Sequence, residues 1–277
     1  MIKLSIEEII EKIRKEETFH AVAFDYSFVI KIEDYVPFFA AAVHDGHHFD
    51  ASLWSQCLHS EYERWYEEDP ATGQMISDTP ITLIGLDSRF EYDLNRAPDT
   101  AIYDSAWGKK LWSTPLSRKQ KEQQLQKHNN FYRVVKALSH KLEEMYPAVV
   151  VYDMHSYNYK RWEREVPVFN IGTSNVDEDR YRVAITEWQE MLDDLPLPID
   201  QEVRCNINDV FQGNGYFLKF ITANTQNTLV LATEISKIYC DELTGQLFPD
   251  VIKSVQDLLR YYIKSHAHNF QTTYGLK

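Results

Sequence analysis

The sequence predicts an α/β fold, and three observations carry the prediction. Short apolar runs alternate with longer amphipathic helical segments, no internal repeat recurs, and clusters of His, Asp, Asn and Arg directly follow several of the apolar runs. Open α/β sheets present ligand-binding groups at such strand exits.

Residues 5–17 read as an amphipathic helix, with Ile6, Ile9, Ile10 and Ile13 free to face a core. The stretch from Phe19 to Ile32 holds short alternating segments suited to a hairpin. PFFAAAVHDGHH then places an apolar strand before a turn rich in His, Asp and Gly. Residues 51–69 read as helix, with Pro70 ending it. ITLIGLD is a further short strand, followed by the polar SRFEYDLNRAPD. From Ser117 to Met145 there is no Pro or Gly, and recurring Lys, Glu, Gln and Leu predict a long helix that Pro147 stops.

AVVVYDMHSYN reads as a buried strand in which Asp153 and His155 share one face at the two-residue period. After a loop from Asn158 to Val168, residues 180–194 predict a helix. LPLPID is a linker or edge element, and FLKFITANTQNTLVLATEIS resembles a hairpin whose second strand, 228–234, delivers Glu234 near its end. A last helix is predicted over 251–264.

The 277 residues suit one large domain, with nothing that divides the chain in two. Hydrophobic residues at 44% and charged residues at 26% are those of a folded protein. A net charge of −13 disfavours nonspecific binding to nucleic acid or anionic membrane. The opening MIKLSIEEIIEKIRKEE lacks the apolar core of a signal peptide, and no run approaches the roughly 20 apolar residues that span a bilayer. A cytoplasmic location is therefore expected. Cys57, Cys205 and Cys240 are too few and too widely spaced for a disulfide framework or a cysteine zinc knuckle.

Chemistry-bearing residues fall in four places. His44, His47 and His48 surround Gly46, and imidazoles on a tight turn suit a borderline metal such as zinc when remote groups complete the site. Taken alone, this pattern fits polar loop packing with hydrogen-bonded histidines better than it fits a metal site. His155 strengthens the metal reading, since parallel strand exits can bring it beside His44; Asp153 can fix its ring or cap the next loop. DSRFEYDLNR supplies Arg89, Asp93, Asn95 and Arg96, which suit a substrate carboxylate or an oxyanion, or else a surface salt network. Glu234 ends an apolar run, where it can act as a general base or begin a helix.

AAVHDGHH at 41–48, SRFEYDLNR at 88–96, VVYDMHSYN at 150–158 and LATEISKIYCDE at 231–242 together resemble the N-formylglutamate amidohydrolase family, in a divergent form. That family is in turn similar to zinc carboxypeptidases and aspartoacylase-type enzymes. The resemblance implies a single three-layer domain over residues 1–277, with a mixed, mostly parallel central sheet and helices on both faces. It implies His44 and His155 as metal ligands and Glu234 as catalytic base or acid. Carboxypeptidases carry a glutamate three residues after the first histidine, and here His47 stands in that place. His47 is thus the preferred middle ligand, with Asp45, His48, Glu68 and Asp69 as replacements once the loop folds. Asn95 and Arg96 match an Asn-Arg element used near substrate, and Arg89 is a second candidate for an anionic group or the oxyanion. Arg204, with Asn206 and Asn208, is a further pocket candidate.

The expected activity is hydrolysis of a small anionic N-formyl or N-acyl amino acid, N-formyl-L-glutamate being the first to test. Zinc is the expected cofactor, with another divalent transition metal as the substitute. A metal-dependent carboxypeptidase or deacylase is the second enzyme reading. A small-molecule binding protein on the same scaffold is the non-catalytic one.

Overall fold

A computed structural model describes residues 1–193 and 195–275, so residue 194 of the predicted 180–194 helix and the last two positions of the 1–277 domain lie outside the described residues. In chain order the elements are β1 (Ile2–Leu4), α1 (Ile6–Arg14), β2 (Phe19–Ala23), β3 (Phe28–Ile32), β4 (Phe38–Ala42), α2 (Ala51–Trp54), α3 (Glu61–Glu67), α4 (Thr72–Met75), β5 (Ile81–Gly85), β6 (Ser105–Ala106), β7 (Lys109–Lys110), α5 (Arg118–Met145), β8 (Val149–Tyr157), β9 (Phe169–Gly172), α6 (Glu178–Leu192), β10 (Cys205–Ile207), α7 (Tyr216–Asn224), β11 (Thr228–Ser236) and α8 (Pro249–Tyr274).

Nine of the strands form one sheet in the order β1-β2-β3-β5-β4-β8-β11-β9-β10. It is mixed and mostly parallel: β4, β5, β8 and β11 run together at its centre, and antiparallel pairings join β2 to β3, β3 to β5 and β11 to β9. Strand alternation sends successive side chains into two cores. Val149, Val151 and Val230 pack beneath α1, α5 and α7, while Val150, Tyr152 and Leu231 pack beneath α6 and α8. A sheet buried on both faces by helices is the three-layer architecture expected. Every residue of β8 is buried, which explains its apolar opening run, Val149 to Tyr152.

Local signals account for most helix starts. Ser5, Ser60 and Ser117 each cap a helix and form a reciprocal capping box with Glu8, Glu63 and Gln120. The Ser60 cap also explains why the helix expected over 51–69 is two short ones, since it begins a new helix after a break. The hairpin expected over 217–236 is likewise corrected: its first half is the helix α7. Phe217, Leu218 and Ile221 bury one helical stripe, and a stretch as short as FLKFI does not separate that spacing from a strand's. β9 and β10, four and three residues long, are too short to show alternation. Among the described residues no helix is long and apolar enough to cross a membrane.

Candidate active site

The C-terminal ends of β4, β8 and β11 meet at one cavity. His44 lies two residues past β4, and His155 and Glu234 sit near the ends of their strands, paired across the parallel β8–β11 ladder. Strand alternation puts Asp153, His155 and Glu234 on the same face of the sheet, and all of them line the cavity with His44.

Gly46 sets the path of the histidine turn. A Cβ there would lie 2.2 Å from the Leu86 carbonyl carbon, so only glycine lets the turn pack against the exit of β5. The contact is sealed by His48 N donating to Leu86 O at 3.0 Å and Ser88 N donating to His48 O at 2.6 Å. This packing separates the polar residues of the turn. Asp45 accepts from Gly73 N at 3.1 Å, and His47 turns outward, 43% exposed, with Nδ1 2.6 Å from Glu68 Oε2.

The residue that joins the two histidines is Asp69, which follows α3. Its backbone N donates to His44 O at 3.0 Å, carrying the side chain back over the strand exits. Asp69 Oδ2 lies 3.1 Å from His155 Nδ1 and 3.4 Å from His44 Nδ1, and the His44 and His155 rings are 5.1 Å apart. One ligand atom from each of the three falls within 4.8 Å of the others, and all three residues are buried. His47, the preferred middle ligand, stands outside this group, because packing at Gly46 turns its ring toward Glu68, and Asp69, one of the replacements, stands in it.

A second ring of side chains surrounds the far nitrogens of both imidazoles. His44 Nε2 is 2.6 Å from Asp93 Oδ1; His155 Nε2 is 3.0 Å from Asp153 Oδ1 and 3.4 Å from Asn95 Nδ2. Each Nδ1 consequently faces the shared centre. His44 Nδ1 has no hydrogen-bond partner although it is buried, and two nitrogens with one carboxylate oxygen are a donor set that suits zinc with a position left open. The residues present thus fit a divalent transition metal.

Burial works against the charge of Asp69, but its contacts with His155 and His44 outweigh it and hold the carboxyl below the usual range. Asp93 is also held low: burial opposes ionisation, and Arg89, His44 and Tyr103 overcome it. Arg89 donates to Asp93 Oδ2 from Nη2 at 2.8 Å and to Glu67 O at 3.2 Å, while Tyr103 OH donates to the same Asp93 oxygen. Glu234 behaves oppositely. Burial pushes its carboxyl up to about 8, the charge of His155 works against that rise, and Asp69 and Asp153 add to it. A carboxyl poised near neutrality is able both to accept and to return a proton.

The remaining expected residues divide. Arg89, Asn95 and Arg96 line the cavity. Asn95 also anchors the start of α7, accepting from Phe217 N through Oδ1 at 3.1 Å. Arg204 lies elsewhere: it borders a second cavity and pairs with Glu202 at 2.5 Å. It immediately precedes β10, the edge strand three places from β8, which places it away from this cavity. Sequence reasoning did not single out the aromatic rim of the cavity, Trp107, Trp162 and Phe211. The Trp107-Gly108 pair between β6 and β7, with both φ angles positive, was the available signal of a tight hairpin tip.

Fold and site together define a mixed α/β protein with a buried His-Asp-His group and a facing glutamate at its strand exits. The profile of the N-formylglutamate amidohydrolase family matches residues 36–239, and the chain belongs to that family, which makes it a hydrolase of amide bonds. Its fold is similar to that of N-formylglutamate amidohydrolase from Ralstonia eutropha JMP134, with TM-score 0.70 and 15% identity over 89% of this chain and 99% of that one. A gene product of Agrobacterium tumefaciens is similar as well, with TM-score 0.67 and 13% identity over 89% and 95% of the two chains. No curated protein matches the sequence.

Proposed function

We propose that this chain is a metal-dependent amidohydrolase that cleaves small N-formyl or N-acyl amino acids. The reading is carried by one observation, the buried His44, Asp69 and His155 group with Glu234 paired across the sheet from His155. His44, Asp69 and His155 would hold the ion, zinc by preference, which supplies Lewis acidity toward a carbonyl and lowers the pKa of a water.

The chain's own residues supply the rest. Glu234 takes a proton from the attacking water as its oxygen adds to the acyl carbon, and returns it to the leaving nitrogen as the C–N bond breaks. The products are a carboxylate, formate for a formyl group, and a free amino acid. Arg89, fixed by Asp93, faces the charge that develops on the acyl oxygen. Arg96 has no ion-pair partner among the described residues and receives the substrate carboxylate. Asp93 and Asp153 position the imidazoles.

Formate and amine release from a panel of formyl, acetyl and short peptide substrates tests this reading, with protein as purified, stripped by chelator and reloaded with zinc. Turnover that disappears on stripping and returns on reloading is expected. Saturable ligand binding with no turnover in any metal state would instead favour a binding protein.

A further inference from the structure

The active-site cavity has a volume of about 680 Å³, within the range that encloses a drug-sized molecule and far more than N-formylglutamate fills with about a dozen non-hydrogen atoms. Its mouth is ringed by three large aromatic side chains from separate segments. Trp107 stands at the β6–β7 tip, Trp162 lies in the loop after β8, and Phe211 comes before α7; they are 44%, 38% and 39% exposed. Aromatic side chains that line a ligand cavity supply apolar surface for a bound group. Their rings are already held in place. Trp107 packs 5.4 Å from Phe90 and beneath the Arg89 guanidinium at 5.1 Å, and Phe211 meets Tyr157 edge-on at 5.6 Å. A bound apolar group would therefore meet surfaces that cost little to order.

Charge narrows the class further. The cationic side chains lining the cavity, among the described residues, are Arg89, Arg96 and Arg161. Arg89 is committed to Asp93, and Arg161 is paired with Glu67. Arg96 alone is left for a substrate carboxylate. A dicarboxylate would thus bring a second carboxylate that no unpaired cationic side chain of the cavity, among the described residues, is left to meet.

We propose that the preferred substrate is an N-acyl amino acid with one carboxylate and a large aromatic side chain, the carboxylate on Arg96 and the aromatic group against Trp107, Trp162 and Phe211. This rests on the hydrolytic reading above and selects within it. The test compares N-formyl-L-phenylalanine with N-formyl-L-glutamate on the full-length, zinc-loaded protein. The phenylalanyl compound is expected to show kcat/KM about 10-fold higher or more. Trp162→Ala and Phe211→Ala, at the partly exposed rim, should each lower the phenylalanyl-to-glutamyl ratio by about 3- to 10-fold, chiefly through KM for the aromatic compound. Thermal unfolding of each variant confirms that it is folded. Equal or better use of the glutamyl compound overturns the proposal, as does a ratio that neither variant moves. If neither compound is hydrolysed, the hydrolytic reading fails separately, and calorimetric binding of the same two compounds decides the selectivity. Tighter binding of the phenylalanyl compound upholds it; tighter glutamyl binding, equal binding or no binding of either overturns it.

Discussion

Glu234 stands directly across from His155 in the parallel register of β11 with β8. Side chains opposite one another in a parallel pair leave the sheet on the same side, so the ladder itself sets the glutamate beside the imidazole. The placement needs no loop to fold correctly. His44 and Asp69 arrive differently, from a strand exit and from the segment after α3, and a backbone hydrogen bond joins them.

Metal stoichiometry separates Asp69 from His47. The purified chain should bind one zinc per molecule, as read by elemental analysis after dialysis. Asp69→Ala should lose it, because that carboxylate faces both histidines, whereas His47→Ala should retain it, its ring being turned to Glu68. The reverse pattern would identify His47 as the middle ligand.

Asp93 tests the outer ring of the site. Its carboxylate lies 2.6 Å from His44 Nε2, and Asp93→Asn weakens the hold on that ring while keeping its size. Zinc affinity should fall by about 10- to 100-fold in a competitive chelator titration. Unchanged affinity would mean that His44 is oriented by packing alone.

Gly46→Ala tests the turn that aims the histidines. The added Cβ would meet backbone atoms of Leu86 at 2.2 and 2.4 Å, which cannot yield as a side-chain tip does. A loss of about 1–3 kcal/mol or more is expected, seen as a lower urea midpoint with an unchanged slope.

Glu91 gives a pH signature away from the metal group. Burial, reinforced by the Asp87 charge and opposed by Lys127, raises its carboxyl from 4.5 to about 8. A raised carboxyl pKa means that the folded chain keeps a proton the unfolded chain releases. The associated stability is complete below the unfolded value and is lost as pH rises through about 8. Glu91→Gln stays neutral throughout, so its stability relative to the parent should rise between about pH 5 and pH 8, on the order of 1 kcal/mol or more. Parallel stability profiles for the two proteins would reject the shift.

The site was legible where a strand exit alone fixes a residue. His44, His155 and Glu234 each follow an apolar run, and the period-two pattern of YDMHS puts Asp153 and His155 on one face without any tertiary contact. Asp69 was only one of several alternatives, because its position depends on a hydrogen bond to His44 O made across 25 residues of chain. Arg204 looked equivalent to Arg96 by residue type, and strand order alone separates them. The aromatic rim was hidden for a related reason: Trp107, Trp162 and Phe211 are far apart in sequence and line one cavity only in the folded chain. In the fold, long or strongly capped elements were readable, whereas α7 and the short edge strands took their form from packing.

The most direct test of the central claim is turnover of an N-formyl amino acid by the zinc-loaded parent and by Glu234→Gln, with metal content measured on the same samples. The account predicts one zinc in both proteins and a rate about 10²- to 10⁴-fold lower in the variant. Equal rates in the two proteins, with metal retained in both, would contradict it.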